Sequence, residues 1–186
     1  MPPAVLTTAF AFLRGINVGG RNMLPMADLR RVAEAIGLHS PRTHIQSGNL
    51  IFQAAKPALS TAADSLASAI EAEFGFRPAV VVRTRDELAK ALAANPFADL
   101  QNPDPAKLLI MLLAAKPPAS ATAALAALNT GAEQCRLVDM QVWLWFPNGV
   151  ARAKLPMASI ERAVAVPGTC RNVATLTKVL ALAGEV

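Results

Sequence analysis

A chain of 186 residues is long enough for one full hydrophobic core or two small packed units, and much of its 53% apolar content is alanine. The longest charge-free apolar run, Leu108–Ala115, is far too short to cross a bilayer, and two cysteines with two histidines in no ligand spacing argue against a zinc site. The net charge of +5 favours anionic partners (phosphorylated metabolites, nucleotides or nucleic acid), although ordinary solubility charge explains it equally well.

The opening Met1-Pro-Pro-Ala-Val-Leu-Thr-Thr lacks the basic segment of a secretory signal. The expectation is therefore a cytoplasmic protein with Cys135 and Cys170 as reduced thiols. Thr7–Leu13 reads as a strand, with Phe10 and Phe12 on one face and Ala9, Ala11 and Leu13 on the other. It runs into Arg14-Gly-Ile-Asn-Val-Gly-Gly-Arg-Asn22, where three glycines and two asparagines in nine residues favour backbone turns with positive φ. Pro25 then opens a helix whose apolar stripe is Met26, Leu29, Val32, Ala33 and Ile36, ended by Gly37.

Arg42–Gln46 and Leu50–Gln53 form a hairpin across Ser47-Gly48-Asn49. Ser60 or Thr61, with Asp64, reads as the start of a second helix. Pro78–Arg83 is a valine-rich strand, and Thr84-Arg-Asp-Glu87 is a capping box for a third helix that stops before Asn95-Pro96-Phe97. Gln101-Asn-Pro-Asp-Pro105 is the natural connector, dividing the chain into halves at residues 1–100 and 106–186.

The second half repeats the order. Lys107–Ala114 reads as a buried strand and Pro118–Leu128 as an alanine-rich helix. Glu133–Val138 and Gln141–Phe146 form a hairpin across Asp139-Met140, and Leu155–Val164 and Arg171–Leu182 read as helices, Thr169 capping the latter. The shared β-α-β-β-α order is that of the split β-α-β motif. The expected fold class is α+β: two ferredoxin-like halves, each an antiparallel sheet with helices on one face. Tracing the strands places the Gly15–Leu24 loop and the Ser47-Gly48-Asn49 turn at one end of the first sheet. Pro147-Asn148-Gly149 leaves the second sheet at the pole opposite its own hairpin turn.

A strand, a glycine loop and a helix N-terminus form a possible anion cradle flanked by Arg14 and Arg21. Gly15-x4-Gly20-Arg21-Asn22 misses the phosphate-loop pattern, since lysine and a magnesium-binding hydroxyl are both absent. The competing view is a structural loop whose asparagines cap its own turns. Gln46, Ser47, Gly48 and Asn49 offer groups that orient a ligand, and they equally make a tight hairpin. Asn148, Arg152 and Lys154 follow a turn. Arg171 and Asn172 read as the N-terminus of a helix, where a positive charge opposes the dipole unless an anion sits there. Cys170 in that setting would have a lowered pKa, and is still more often inert. His44 reads as a surface histidine rather than a base for Ser47, and no acid/base pair stands out, so no catalytic residue, metal or cofactor is assigned.

Phe12-Leu-Arg-Gly-Ile-Asn-Val-Gly-Gly-Arg-Asn22, Pro25-Met26, Leu29-Arg30 and Ile45-Gln-Ser-Gly-Asn49 resemble the signature of a bacterial family, domain of unknown function 1697. Asn95-Pro-Phe97, Pro147-Asn-Gly149, Arg152, Lys154-Leu155, Thr169, Arg171-Asn172, Thr175 and Lys178 extend the resemblance. It implies two ferredoxin-like halves and no defined activity. Ala153 and Val173 depart from it, standing where serine and tryptophan are usual.

The leading expectation is a small anionic or phosphorylated ligand at the Gly15–Asn22 and Gln46–Asn49 loops. Arg14 and Arg21 would supply charge, Gly15, Gly19 and Gly20 backbone N–H groups, and Asn17, Asn22, Gln46 and Asn49 hydrogen bonds. Arg152, Lys154, Arg171 and Lys178 would join if the halves fold toward each other. The alternatives are a nucleic-acid module using the basic surface, with Phe10/Phe12 and Trp143/Trp145 as stacking platforms, and a protein-interaction module. Core packing is the competing and better explanation of those rings.

Overall fold

The computed structural model describes residues 5–98, 104–129 and 131–185. Residues 1–4 and positions 101–103 of the expected connector lie outside them. Two compact units emerge: Met1–Leu88 with Val179–Val186, and Ala89–Lys178.

The first unit runs β1 (Leu6–Leu13), α1 (Met26–Ala35), β2 (His39–His44), β3 (Asn49–Ala55), α2 (Lys56–Phe74) and β4 (Val80–Thr84). Its antiparallel sheet has the order β2-β3-β1-β4, the ferredoxin-like arrangement. Period-two alternation decides the faces of β1. Ala9, Ala11 and Leu13 pack with Leu29, Val32, Leu66 and Ile70 of the helices. Phe10 and Phe12, on the other face, are fully buried and stack with ring centroids 6.2 Å apart.

Helix α2 begins four residues before the Ser60 expected to start it. Pro57 is tolerated in the first turn, where its missing N–H would have no partner anyway. The Ser60 and Thr61 hydroxyls therefore donate back to the Pro57 and Ala58 carbonyls inside the helix. Thr84 and Glu87 form the expected reciprocal box: Thr84 N–H donates to Glu87 Oε2 at 2.8 Å, and Glu87 N–H to Thr84 Oγ1 at 3.2 Å. They open α3 (Arg85–Ala93).

The second unit repeats the plan with β5 (Leu108–Leu113), α4 (Ala121–Ala126), β6 (Gln134–Val138), β7 (Gln141–Trp145), α5 (Met157–Val164) and β8 (Gly168–Asn172). Its sheet order, β6-β7-β5-β8, matches the first. Met111, Leu113, Val142, Leu144 and Phe146 pack with Leu125, Ile160 and Val164. Trp143, facing the opposite way, is fully buried, and among the described residues its indole N–H has no hydrogen-bond partner.

β8 corrects the sequence expectation. Thr169–Asn172 are not a helix start but a strand paired with β5, Cys170 opposite Met111 and Arg171 opposite Ile110. Helix α6 (Val173–Leu182) starts afterwards, capped by Asn172, whose Oδ1 accepts the Thr175 N–H at 2.7 Å. Strand pairing with β5 satisfies the backbone of 168–172, so the local cap signal at Thr169 loses to the sheet. The dipole argument at Arg171 and the lowered thiol pKa at Cys170 fall with it. The two units match in detail here: Arg83 lies opposite Phe10 in β4, as Arg171 lies opposite Ile110 in β8. Each guanidinium donates to the carbonyl of its preceding residue, at 2.9 and 2.7 Å. Burial lowers both from the ordinary arginine value, Arg171 to about 10.

Candidate functional site

At the end of β1 the glycine loop folds into a miniature hairpin. Val18 and Arg21 bridge, with Arg21 N–H donating to Val18 O at 3.0 Å. Gly19 and Gly20 have φ of +57° and +73°, the pair of positive angles a type I′ turn requires. A methyl at either would meet nothing within 4 Å, so these glycines serve the turn and not a close approach.

Asn17 ties this hairpin down. Its side-chain amide donates to Leu24 O at 2.9 Å and Gln46 O at 2.8 Å, while its Oδ1 accepts the Leu24 N–H at 2.8 Å. Asn22 Nδ2 donates to Gly15 O at 3.0 Å, and Asn49 Nδ2 to His44 O and Ser47 Oγ. The two turns do meet at one pole, where Leu13 N–H donates to Gly48 O at 2.9 Å. The side-chain amides of Asn17, Asn22 and Asn49, however, are engaged within the loops. Asn49 is the first residue of β3, so the turn proper is Ile45–Gly48. Arg14, Gly15, Gly19, Gly20, Arg21 and Asn22 are exposed, Ser47 is half-buried, and Gln46 lies at the surface beside it.

Three large apolar side chains also stand in solvent on the segments joined by Asn17: Val18, Met23 and Ile45, exposed to 66, 59 and 52%. Ile45 has φ of +52°, a left-handed conformation unusual for a β-branched residue. Composition gave no sign of this patch, because exposure is not written in residue type.

The second unit contains a cavity of about 510 Å³, lined by residues that include Glu133, Asn148, Arg152, Lys154 and Ser159. It lies at the pole where Phe146 N–H donates to Lys107 O, opposite the Asp139-Met140 turn, whose Met140 O accepts the Leu113 N–H. Gly149, at φ +79°, turns the chain into a single 3-10 turn at Val150–Arg152. This brings Asn148, Arg152 and Lys154 around one cavity. Among the described residues, no hydrogen bond or ion pair engages the side chains of these three.

Glu133 is the residue sequence reasoning missed, having been read only as the start of a strand. It is 8% exposed, and its Oε1 accepts the Lys154 N–H at 3.1 Å. Arg171 and Asn172 do not line this cavity. Arg171 bonds Thr169 Oγ1 and Cys170 O, and Asn172 is the α6 cap. Lys178 is exposed on α6.

Cys135 is not placed for chemistry. It is buried, its thiol donates toward Leu125 O and Asn129 Oδ1 at 3.3 Å, and burial pushes its pKa up to about 11. Among the described residues no cluster of histidine, cysteine and carboxylates is arranged to hold a metal, and no helix is long and apolar enough to cross a membrane.

The model of the family described as "Protein of unknown function (DUF1697)" matches residues 6–143, well over half of the sequence. The chain belongs to that family. The cavity residues Asn148, Arg152 and Lys154 fall beyond the matched span. No curated protein matches. Among solved structures, a conserved bacterial protein from Streptococcus pneumoniae is similar, with a TM-score of 0.65 and 20% identity over 96% of this chain and 99% of that one. At that identity the likeness is one of fold.

Proposed function

We propose that this member of the DUF1697 family binds a small anionic molecule in the cavity of its second unit, acting in the cytoplasm. Arg152 and Lys154 supply positive charge, and Asn148 and Ser159 supply hydrogen bonds. One observation carries this: a single turn gathers Asn148, Arg152 and Lys154 around a cavity of about 510 Å³ while no carboxylate of the described residues is ion-paired with either cation. Arginine and lysine held this way favour phosphate or carboxylate groups through charge-assisted hydrogen bonds.

The Gly15–Asn22 and Gln46–Asn49 loops remain the second candidate for an anion, through exposed Arg21 and the backbone at Gly19-Gly20. Engagement of their asparagine amides within the loops ranks them below the cavity. A nucleic-acid surface is less favoured, since three of the four expected rings, Phe10, Phe12 and Trp143, are buried and only Trp145 is half-exposed. Exposed Val18, Met23 and Ile45 instead favour a protein-interaction role for the first unit's loop pole.

Titration with inorganic phosphate, followed by backbone amide NMR, tests the cavity. Shifts concentrated at Glu133, Asn148 and Lys154, lost in the Arg152→Ala/Lys154→Ala double variant, are the expected result. Shifts confined to residues 15–22 move the site to the first unit, and no shifts at millimolar phosphate remove the proposal.

A further inference from the structure

We infer that the ligand of the second-unit cavity carries an ammonium group as well as its anionic group, the ammonium being held by Glu133. This rests on the cavity reading above and adds a substrate class to it: small amphoteric phosphates or acids.

Glu133 is more than nine-tenths buried, yet it lines the same cavity as Arg152 and Lys154. A carboxylate has about four acceptor positions, and those the protein leaves unfilled are available to a guest in the cavity. Among the described residues a single donor reaches Glu133, the Lys154 backbone N–H on Oε1. Oε2 accepts no hydrogen bond from them, and neither the Lys154 ammonium nor the Arg152 guanidinium forms an ion pair with Glu133.

Gly131 leaves Oε2 uncovered. A methyl at position 131 would lie 3.5 Å from Oε2, in ordinary contact over the oxygen. The backbone there does not have a positive φ, so turn geometry does not demand the glycine. The cavity thus brings together two chemistries: the exposed cations Arg152 and Lys154, and an uncovered carboxylate oxygen of Glu133. A purely anionic guest would satisfy the cations and be repelled by Glu133. A guest with an ammonium end satisfies both, through a charge-assisted hydrogen bond to Oε2.

The test compares O-phosphoethanolamine with ethyl phosphate, which shares its phosphate and lacks its amine, by titration calorimetry on the full chain. Phosphoethanolamine should bind at least about tenfold more tightly, the smallest factor expected of a hydrogen bond to a charged group. Glu133→Gln keeps an acceptor for the Lys154 N–H and should reduce that ratio to about one while ethyl phosphate still binds. Gly131→Ala, which covers Oε2 and leaves the Glu133 carboxylate in place, should shrink the ratio too, guarding against a Glu133 variant that fails to fold. Equal affinities in the native chain overturn the inference and leave the anion site standing. A preference that survives both variants also overturns it. If neither compound binds, the cavity reading and the inference fall together.

Discussion

Gly48 lies so close to Ile16 that a methyl on its α-carbon would fall 2.7 Å from Ile16 Cδ1, and 2.9 Å from Leu13 Cβ. This is where the two loops of the first unit lock together, Gly48 also having φ of +72°. The close approach that the glycine-rich loop suggested thus belongs to the neighbouring turn, and it is filled by protein.

The glycines consequently differ in what they tolerate. Gly19→Ala meets no atom and should cost only the left-handed backbone, about 1–2 kcal/mol. Gly48→Ala adds a collision with the buried Ile16 side chain and should cost clearly more, about 3 kcal/mol or above. Urea denaturation of both variants checks the order, and equal losses would show that the Ile16 contact gives way easily.

The loop pole should associate with protein through its apolar trio. Sedimentation velocity over a hundredfold range of concentration is expected to show self-association. The triple variant Val18→Asn, Met23→Gln, Ile45→Asn should abolish it, with stability changed by no more than about 1 kcal/mol because each side chain is exposed. A native chain that stays monomeric at every concentration counts against association with itself.

Cys135 and Cys170 should separate by reactivity. At pH 8, iodoacetamide on the native chain is expected to label half-buried Cys170 first, since the thiolate of Cys135 is disfavoured by burial. A thiol whose pKa rises on folding binds its proton more tightly in the folded state. Its contribution is therefore complete below the unfolded value of 9.0 and disappears as pH rises toward about 11. Stability of the native chain should fall across that window by about 2 kcal/mol more than that of Cys135→Ala. Parallel pH curves for the two would contradict the shift.

Much of the fold was legible locally. Alternation in Thr7–Leu13 announced a strand with Phe10 and Phe12 on one face and Ala9, Ala11 and Leu13 on the other, and Thr84 with Glu87 announced a cap that forms as written. The repeated order of elements implied the two matching sheets, because a split β-α-β unit allows few ways to pair its strands. The candidate site was legible in part. Asn148, Arg152 and Lys154 were singled out by the turn before them, whereas Glu133 looked like any carboxylate entering a strand.

Sequence alone determined the signals that act within a few residues: turns needing positive φ, caps and the period of each strand. Only the tertiary structure decided that Thr169–Asn172 would pair with β5 instead of opening a helix. It alone brought Glu133 against the Lys154 backbone across 21 residues. Those outcomes depend on partners far along the chain, whose hydrogen bonds and excluded water outweigh the propensity of any short segment.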